Sequence, residues 1–336
     1  MRGGIVESAF SYPSADGSTS IRARLWEPSS DTPSAADAPR AVVQVVHGMC
    51  EHMGRYDAFA RFLAEHGIAV CGEDHIGHGA SASDPAEFGH MPPREGKDIL
   101  IADVCALRRL MRERFGEGVP YFLFGHSMGS FIVRAYLARP CARNLSGAVI
   151  CGTGEQPRAL SAAGNLLARI IGRVAGERHR SALIDGLGAG AYGKRIPDAR
   201  TPFDWLSTDP AVVDAYLADE RCGFMFTVGG YAALTDLTGE IADPARVARV
   251  PHDMPLLFIA GEQDPVGDNG KGVRVAAQAL RDAGVARVDE VLYPGMRHEI
   301  LNEPERGRVM ADVLAWIEAR IAQPRRTEPA PSEKGN

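Results

Sequence analysis

The segment YFLFGHSMGSF, residues 121–131, contains the clearest fold signal in the chain. Four large apolar residues are followed at once by Gly125, and Ser127 then stands between that glycine and Gly129. The apolar run is typical of a strand that is buried on both faces of a sheet. The G-x-S-x-G pattern is typical of a sharp strand-to-helix turn that exposes a serine hydroxyl at the carboxyl end of the sheet. We therefore interpret Ser127 as a nucleophile, although a serine in this position could also cap a helix.

Strand and helix patterns alternate on both sides of this turn. Short runs rich in Val, Ile, Leu and Phe indicate buried strands over 41–46, 68–73, 121–125, 146–152, 254–261 and 288–295. Helical patterns, several of which stop at Gly or just before Pro, cover 55–66, 98–115, 127–138, 271–282 and 304–321. This order predicts a fold of the α/β class, with a mostly parallel sheet and right-handed crossovers.

Three further features complete the predicted organisation of the chain. The segments IVESAF and SIRARLWEP flank a turn-rich stretch and predict an antiparallel hairpin at one edge of the sheet. After Gly152 the strand pattern lapses, and the sequence is helical in character until about Val250. We expect an α/β core over 1–152 and 251–322, interrupted by a helical cap over 153–250. The polar, Pro-rich tail over 323–336 is predicted to be disordered.

Composition excludes several classes of protein. The formal net charge of -6 leaves no basic footprint of the kind that a nucleic-acid-binding protein needs. The six cysteines form no C-x-x-C pair, and the N-terminus lacks the apolar core of a signal peptide, so we expect reduced thiols and a cytoplasmic protein. No apolar run reaches the roughly 18 residues that a membrane-spanning helix requires.

A serine nucleophile needs a base, and the base needs a group that orients it. Asp264 lies just beyond one predicted strand and His298 just beyond the next, which are the places and the chain order that such a mechanism requires on this architecture. Asp268 is a rival for the orienting acid, since it lies in the same loop. His252, which precedes a strand, and His126, which shares the tight turn with Ser127, are weaker candidates for the base.

The negative charge that develops on the substrate carbonyl oxygen also needs backbone N–H donors. We expect one from Met128, directly after the nucleophile, and the other from Met49, in the loop that follows the strand over 41–46. The polar residues of that loop, His47, Glu51 and His52, could act in acid-base or metal chemistry, but loop hydrogen bonds explain them more simply. The same holds for the run of Asp74, His75 and His78 in EDHIGHGAS, because no second cluster has metal-ligand spacing.

Five motifs occur in one order: HGMCEHMGRY, DHIGHGAS, GHSMGS, GEQDPVGD and MRHEILNE. In these motifs the chain resembles the monoacylglycerol lipase and lysophospholipase branch of the α/β-hydrolase superfamily, the serine aminopeptidase S33-type group, over about 20–321. The resemblance implies an eight-stranded α/β-hydrolase fold with a helical cap. It implies a triad of Ser127, Asp264 and His298, with the amides of Met49 and Met128 as the oxyanion hole, and no cofactor. Cys50 departs from the Gly or Ala that is common in relatives, which suggests a thiol-sensitive site.

The predicted cap is the part that bears on the substrate. An apolar stripe at helical spacing runs through it, made of Leu166, Leu167, Ile170, Ile171 and Val174, with arginines on both sides. This stripe could pack in the cap's own core, line an acyl-chain tunnel, or make transient contact with an anionic lipid surface. The aromatic residues of the cap could likewise line a pocket or hold the cap together: Phe203, Trp205, Phe224, Phe226 and Tyr231.

Three functions fit these patterns. The first is a serine hydrolase that cleaves small acyl esters of the monoacylglycerol or lysophospholipid type through an acyl-enzyme. The second is an aminopeptidase or amidase, which would need a cap acid such as Asp204, Asp214 or Glu220 to bind a substrate ammonium. The third is a non-catalytic ligand-binding module on the same scaffold, although such a module usually lacks one of the three triad members.

Overall fold

A computed structural model describes residues 4–29 and 38–323 of the chain. Its centre is an eight-stranded sheet, ordered β1-β2-β4-β3-β5-β6-β7-β8. The strands are β1 Ile5–Pro13, β2 Ser20–Pro28, β3 Ala41–Val46, β4 Ile68–Asp74, β5 Tyr121–His126, β6 Gly147–Cys151, β7 Pro255–Gly261 and β8 Arg287–Tyr293. From β4 to β8 every pairing is parallel, and the hairpin of β1 and β2 joins β4 antiparallel. The predicted α/β-hydrolase fold, with its edge hairpin, is therefore confirmed.

Ten α-helices accompany the sheet in the described part of the chain. They are α1 Asp57–Glu65, α2 Gly96–Phe115, α3 Met128–Leu137, α4 Arg158–Ala175, α5 Ala182–Leu187, α6 Pro210–Ala218, α7 Val228–Ile241, α8 Pro244–Val247, α9 Lys271–Asp282 and α10 Arg306–Ala322. The predicted helix over 55–66 begins as a short 3-10 turn, Met53–Tyr56, before α1.

Alternating side chains of the central strands enter two different cores. Val42 and Val46 of β3 face a cluster that also contains residues of α2, α3 and α9, whereas Val43 and Val45 face a cluster built with α1 and α10. Because both faces of the inner parallel strands are covered, these strands are mostly apolar, whereas the edge strand β8 is partly exposed and carries charged residues. This packing directs the carboxyl ends of β3, β5, β7 and β8, and the loops that follow them, to one edge of the sheet.

Helices and loops fill the chain between β6 and β7. In this segment α4 packs chiefly against α7, which in turn contacts α2 and α3 of the core. Salt bridges fix that second contact, since Glu240 of α7 pairs with Lys97 at 2.9 Å and with Arg139 at 2.6 Å. The segment is therefore anchored through α7, while α4 and α5 lie farther from the sheet.

The cysteines depart from expectation at one pair. Cys105 of α2 and Cys141, just after α3, are joined in a disulfide with their Cα atoms 6.4 Å apart. The expectation of reduced thiols is wrong for these two residues, because the packing of α2 beside the end of α3 brings together cysteines that are 36 positions apart. The other four cysteines are buried and free.

The described residues contain no helix that is both long enough and apolar enough to cross a membrane. The predicted disordered tail, apart from its first residue, Gln323, lies outside the described residues.

Candidate active site

Ser127 lies at the turn between β5 and α3, in a backbone conformation that non-glycine residues rarely adopt. Its φ and ψ are 53° and −121°, and its side chain is partly exposed. Its N–H donates to the carbonyl oxygen of Cys151 on the neighbouring strand at 3.0 Å, and its own carbonyl accepts from Ser130 and Phe131. A conformation of this kind costs about 1–3 kcal/mol and persists where the surrounding structure holds it, most often at a functional site.

The two glycines of the motif are required by close backbone approaches. A Cβ atom on Gly125 would lie 2.4 Å from the carbonyl oxygen of Gly129, and one on Gly129 would lie 1.9 Å from that of Val46. No side chain fits at such distances, so α3 can leave the sheet directly beside β3 only with glycine at both positions. This local packing aims Ser127 away from the sheet.

Asp264 and His298 lie together on the loops that follow β7 and β8. Asp264 Oδ2 is 2.9 Å from His298 Nδ1, and both residues are buried, with exposed fractions of 0% and 1%. The other carboxylate oxygen, Oδ1, accepts from the N–H of Val266 at 2.8 Å. Because a carboxylate can only accept, Nδ1 carries the proton and Nε2 is left with its lone pair.

The rival acid, Asp268, occupies a different place. Its side chain is about half exposed and lies 3.6 Å from Arg195 and 3.7 Å from Lys271. It makes surface ion pairs, which contribute little to stability. Of the two candidate acids, Asp264 is the one in contact with His298.

The backbone around Gly152 places Ser127 and His298 on the same side of the sheet edge. Ser127 is hydrogen-bonded to Cys151, and a Cβ atom on Gly152 would lie 3.1 Å from His298 Cε1. The loop after β3 reaches the same point, since a Cβ atom on Gly48 would lie 3.0 Å from Ser127 Cβ. The fold therefore brings the serine, the histidine and this loop to one position.

Residues 47–52, here called the oxyanion loop, carry one of the two expected amide donors. In the described part of the chain, neither the N–H of Met49 nor that of Met128 donates to any acceptor. Met128 is the first residue of α3, where a helix leaves its N–H groups without partners. Two backbone donors without acceptors, one directly after Ser127 and one in the loop that reaches it, are the groups that an oxyanion hole needs.

Buried polar groups fix the oxyanion loop. The Glu51 carboxylate accepts from the N–H of Gly48 at 2.6 Å and from the hydroxyl of Tyr56 at 2.7 Å. Burial opposes its ionisation, but the hydrogen bond and charge of His126, together with the charge of Arg55, hold its pKa well below the usual range. Glu51 is therefore an anion that holds the loop.

His47 and His75 hold the same loop as neutral groups. The N–H of His75 donates to His47 Nε2 at 3.0 Å, so the proton of the His47 ring lies on Nδ1, 2.8 Å from the carbonyl oxygen of Gly48. Burial lowers the pKa of His47 to about 3 and that of His78 to about 4. His78 Nδ1 lies 2.9 Å from the carbonyl oxygen of Ile76, so these histidines make the local hydrogen bonds that the sequence favoured.

One group outside the site has the composition of a metal site. His52, Asp219 and Cys222 each place a potential ligand atom within 4.8 Å of the others. However, His52 Nδ1 accepts from the N–H of Gly54 at 3.1 Å, so the ring proton lies on Nε2, 2.8 Å from Asp219 Oδ2. A metal on Nε2 would require that proton to move to Nδ1, against the N–H of Gly54. The group fits a hydrogen-bonded pair between the oxyanion loop and the end of α6.

Cys50 is not a reactive thiol. It is 7% exposed, its sulfur donates to the carbonyl oxygen of Phe224 at 2.8 Å, and burial raises its pKa well above the ordinary value. Its φ of 57° is unusual for a residue other than glycine. Its carbonyl oxygen accepts from Tyr216 and from the N–H of Gly223. The thiol sensitivity suggested by the sequence therefore has no support in this environment.

The aromatic residues after α5 have different roles. Phe226 and Tyr231 are buried in the core, and Phe203 packs on Tyr216 in a small separate cluster. Trp205 contacts His298: its ring centroid is 4.9 Å from that of His298, and its carbonyl oxygen accepts from the N–H of His298 at 3.4 Å. No local pattern singles out Trp205, so sequence reasoning could not separate it from the others.

The chain is similar to known proteins over most of its length. The profile of the serine aminopeptidase S33 family matches residues 37–305. The monoacylglycerol lipase of Mycolicibacterium smegmatis is 31% identical over 310 residues, which is 88% of this chain and 92% of the relative. The monoglyceride lipase of Mus musculus is 27% identical over 309 residues, or 89% of this chain and 87% of the relative.

Solved structures show the same fold. A thermostable carboxyl esterase from Bacillus coagulans, in complex with glycerol, superposes with a TM-score of 0.85 at 30% identity and covers 94% of this chain and 99% of its own. A lipase in its open form gives a TM-score of 0.83 at 28% identity, covering 95% of this chain and 100% of its own.

Proposed function

Because the chain belongs to the serine aminopeptidase S33 family of α/β-hydrolases, we propose that it is a serine hydrolase that cleaves carboxylic acyl esters through an acyl-enzyme. The observation that carries the proposal is the buried contact of Asp264 with His298, next to a strained Ser127 and two amides without acceptors. Each part of a triad and an oxyanion hole has a residue of the right chemistry.

Each group has one task in the proposed reaction. Asp264 keeps the His298 proton on Nδ1, so that Nε2 can accept the proton of the Ser127 hydroxyl as its oxygen attacks the ester carbonyl. The N–H groups of Met49 and Met128 stabilise the negative charge on the carbonyl oxygen. His298 then gives the proton to the leaving alcohol, and a water molecule, activated in the same way, releases the acid from Ser127.

For the substrate we propose an ester with one acyl chain and a small alcohol, of the monoacylglycerol type. The relatives from M. smegmatis and mouse are named for monoacylglycerol, and the Bacillus structure holds glycerol. Residues 153–250 would act as the cap over the site, with Leu167 and Ile171 of α4 packing inward against the core. A lysophospholipid is the other substrate that the sequence suggested.

The aminopeptidase alternative lacks support in the cap. That activity would need an acid facing the site, yet Asp214 is paired with Arg200 on the surface at 2.7 Å and Glu220 is exposed. Asp204 accepts from the backbone N–H of Arg200 and from the hydroxyl of Thr201. Two of the three suggested acids are thus already paired, and the third is exposed on the surface.

We also propose that the outer face of α4 and α5 contacts a lipid surface. Six large apolar side chains on these two helices are at least half exposed: Leu160, Leu166, Ile170, Val174, Leu183 and Leu187. Arg158, Arg173 and Arg178 lie on or just after the same helices and are exposed, which suits an anionic membrane. A lipase that reaches its substrate in a bilayer would benefit from such a face. The cytoplasmic location expected from the sequence stays a prediction.

The test of the proposed function combines active-site labelling with a substrate panel. A fluorophosphonate should label Ser127 stoichiometrically, and Ser127→Ala should abolish both labelling and ester hydrolysis, while Ser83→Ala, on the surface, should change neither. If an apolar tunnel binds the acyl chain, kcat/KM should rise by up to about fourfold per CH₂ until the tunnel is full. Labelling that persists in Ser127→Ala would overturn the nucleophile, and faster turnover of aminoacyl anilides than of esters would favour a peptidase.

A further inference from the structure

His126 stands directly before Ser127 and is buried beneath the candidate site, with 5% of its surface exposed. Its two ring nitrogens face different groups. Nδ1 lies 2.9 Å from the hydroxyl oxygen of Tyr56 and 3.2 Å from Glu51 Oε1. Nε2 lies 3.3 Å from the carbonyl oxygen of His298. The ring therefore connects the oxyanion loop to the backbone of the proposed catalytic base.

A count of protons decides the charge of this ring. The carbonyl oxygen of His298 can only accept, so Nε2 must carry a proton to bind it. Glu51 Oε1 can also only accept, and the Tyr56 hydroxyl has one proton, which it gives to Glu51. Nδ1 must then carry a second proton, since otherwise its lone pair would face a carboxylate oxygen at 3.2 Å. Only the imidazolium form gives every contact a donor and an acceptor.

The charges around His126 lead to the same result. Glu51 and Glu299 are both buried carboxylates, with side chains 4% exposed, and they share one cation, Arg55. Arg55 Nη2 lies 2.7 Å from Glu299 Oε2, and Nη1 lies 3.5 Å from Glu51 Oε2. Two negative charges and one positive charge leave a deficit of one cation, which a His126 imidazolium supplies. Buried charges that stay unpaired are costly, so the balanced arrangement is favoured.

Other titratable groups near this cluster do not supply the missing charge. Burial lowers the pKa of His47, so that ring is neutral, and burial raises the pKa values of Tyr56 and Cys151, so these are neutral as well. Burial also raises the pKa of Cys222, beside Arg55. The neighbouring ring, His298, has its Nδ1 on Asp264. Among the described residues that face the cluster, His126 is the group left to carry the charge.

We propose that His126 is a positioning residue for the reaction, and that it works as an imidazolium at neutral pH. The proposal rests on the function assigned above to Ser127, His298 and the oxyanion loop. Through Glu51, which also accepts the N–H of Gly48 at 2.6 Å, the cation fixes the backbone that leads to Met49. Through Nε2–H it holds the carbonyl of His298. One charged ring thus sets the spacing between the oxyanion hole and the base.

The pH dependence follows from the direction of the shift. Burial alone would lower the pKa of His126, but the hydrogen bond and the charge of Glu51 raise it above its ordinary value. A raised pKa in the folded state means that the stabilisation is fully present below the ordinary value of about 6.5 and is lost as pH rises through the higher folded value. We therefore expect both kcat and stability to fall on the alkaline side as His126 loses its proton.

The direct test is nuclear magnetic resonance of the histidine ring nitrogens, which does not depend on activity. In the wild-type protein at pH 7, both nitrogens of His126, assigned through the contact of its ring with that of Tyr56, should have protonated shifts and should titrate above the ordinary histidine value. In Glu51→Gln, which keeps an oxygen for the N–H of Gly48 but removes the charge, the ring should titrate at lower pH. A neutral His126 ring at pH 7 in the wild-type protein would overturn the proposal, whatever the enzyme's substrate.

The second test is the pH profile of kcat on a non-ionising ester. The wild-type profile should fall on the alkaline side, and in His126→Gln that fall should disappear while kcat at neutral pH drops about 10- to 100-fold, the value of a charged hydrogen bond. His66→Gln, which removes an exposed histidine, should leave the profile unchanged. If His126→Gln keeps the alkaline fall, the imidazolium has no part in positioning. If that variant does not fold, the measurement on the wild-type ring still decides the question.

Discussion

Asp264→Asn is the substitution whose outcome the geometry fixes most tightly. Asp264 Oδ1 accepts from the N–H of Val266 at 2.8 Å, and Oδ2 accepts from His298 Nδ1 at 2.9 Å. In the variant the amide oxygen keeps the bond to Val266, because that partner is a donor. The amide nitrogen then takes the position of Oδ2 and presents its own protons to His298 Nδ1.

That exchange forces the wrong tautomer of the base. His298 would accept on Nδ1 and carry its proton on Nε2, where it cannot take the proton of Ser127. Where this change has been made in a serine protease triad, kcat fell about 10⁴-fold, and we expect a loss of the same order here. A factor of this size corresponds to about 5.5 kcal/mol of transition-state stabilisation.

The assay is steady-state hydrolysis of a monoacylglycerol, followed as released fatty acid, together with thermal unfolding of each variant. The matched control is Asp268→Asn, in the same loop, whose surface ion pairs at 3.6 and 3.7 Å predict a change of kcat smaller than about twofold. A kcat for Asp264→Asn within tenfold of wild type, in a protein that melts normally, would show that Asp264 does not orient the base. A larger loss in Asp268→Asn would assign that role to the rival acid.

Two further predictions concern the surface and the cysteines. Replacement of Leu166 and Ile170 by Ser should lower the affinity for anionic phospholipid vesicles, measured by co-sedimentation, by about tenfold or more, because each buried apolar side chain contributes about 1.5–3 kcal/mol. The kcat on a soluble ester should change little. Unchanged vesicle binding would remove the lipid-contact proposal. Thiol titration in denaturant without reductant should find the four free cysteines, whereas six titrating thiols would mean that Cys105 and Cys141 are not joined. The disulfide closes a loop of 36 residues, so its reduction should lower the free energy of unfolding by up to about 4 kcal/mol.

Local sequence patterns were enough to predict most of the fold. Each central strand, such as Tyr121–His126, is a short and mostly apolar run with a turn signal at its end, because burial on both faces favours apolar side chains. The register of the sheet and the disulfide were not predictable, because both depend on which segments lie side by side. Cys105 and Cys141 look unrelated in the sequence until α2 packs beside the end of α3.

The candidate site likewise contains features that the sequence could predict and features that it could not. Ser127 could be proposed from eleven residues, because a strand, a serine between glycines and a helix are contiguous, and Asp264 and His298 followed from their places after later strands. Other features depend on how the loops converge at one edge of the sheet. They are the contact between Asp264 and His298, the different environments of Asp264 and Asp268, and the position of Trp205 against His298.

The charge of His126 needed the tertiary structure most of all. In the sequence it is one histidine beside the serine, and its partners, Glu51, Tyr56 and the carbonyl of His298, are between 70 and 172 positions away. The sequence gives the type of each side chain, but the protonation state of that side chain depends on its burial and on the charges that surround it in the folded protein. The sequence thus specifies which chemical groups are present and where the backbone turns. The folded structure specifies which of these groups are buried in contact with one another, and therefore which of them carry a charge.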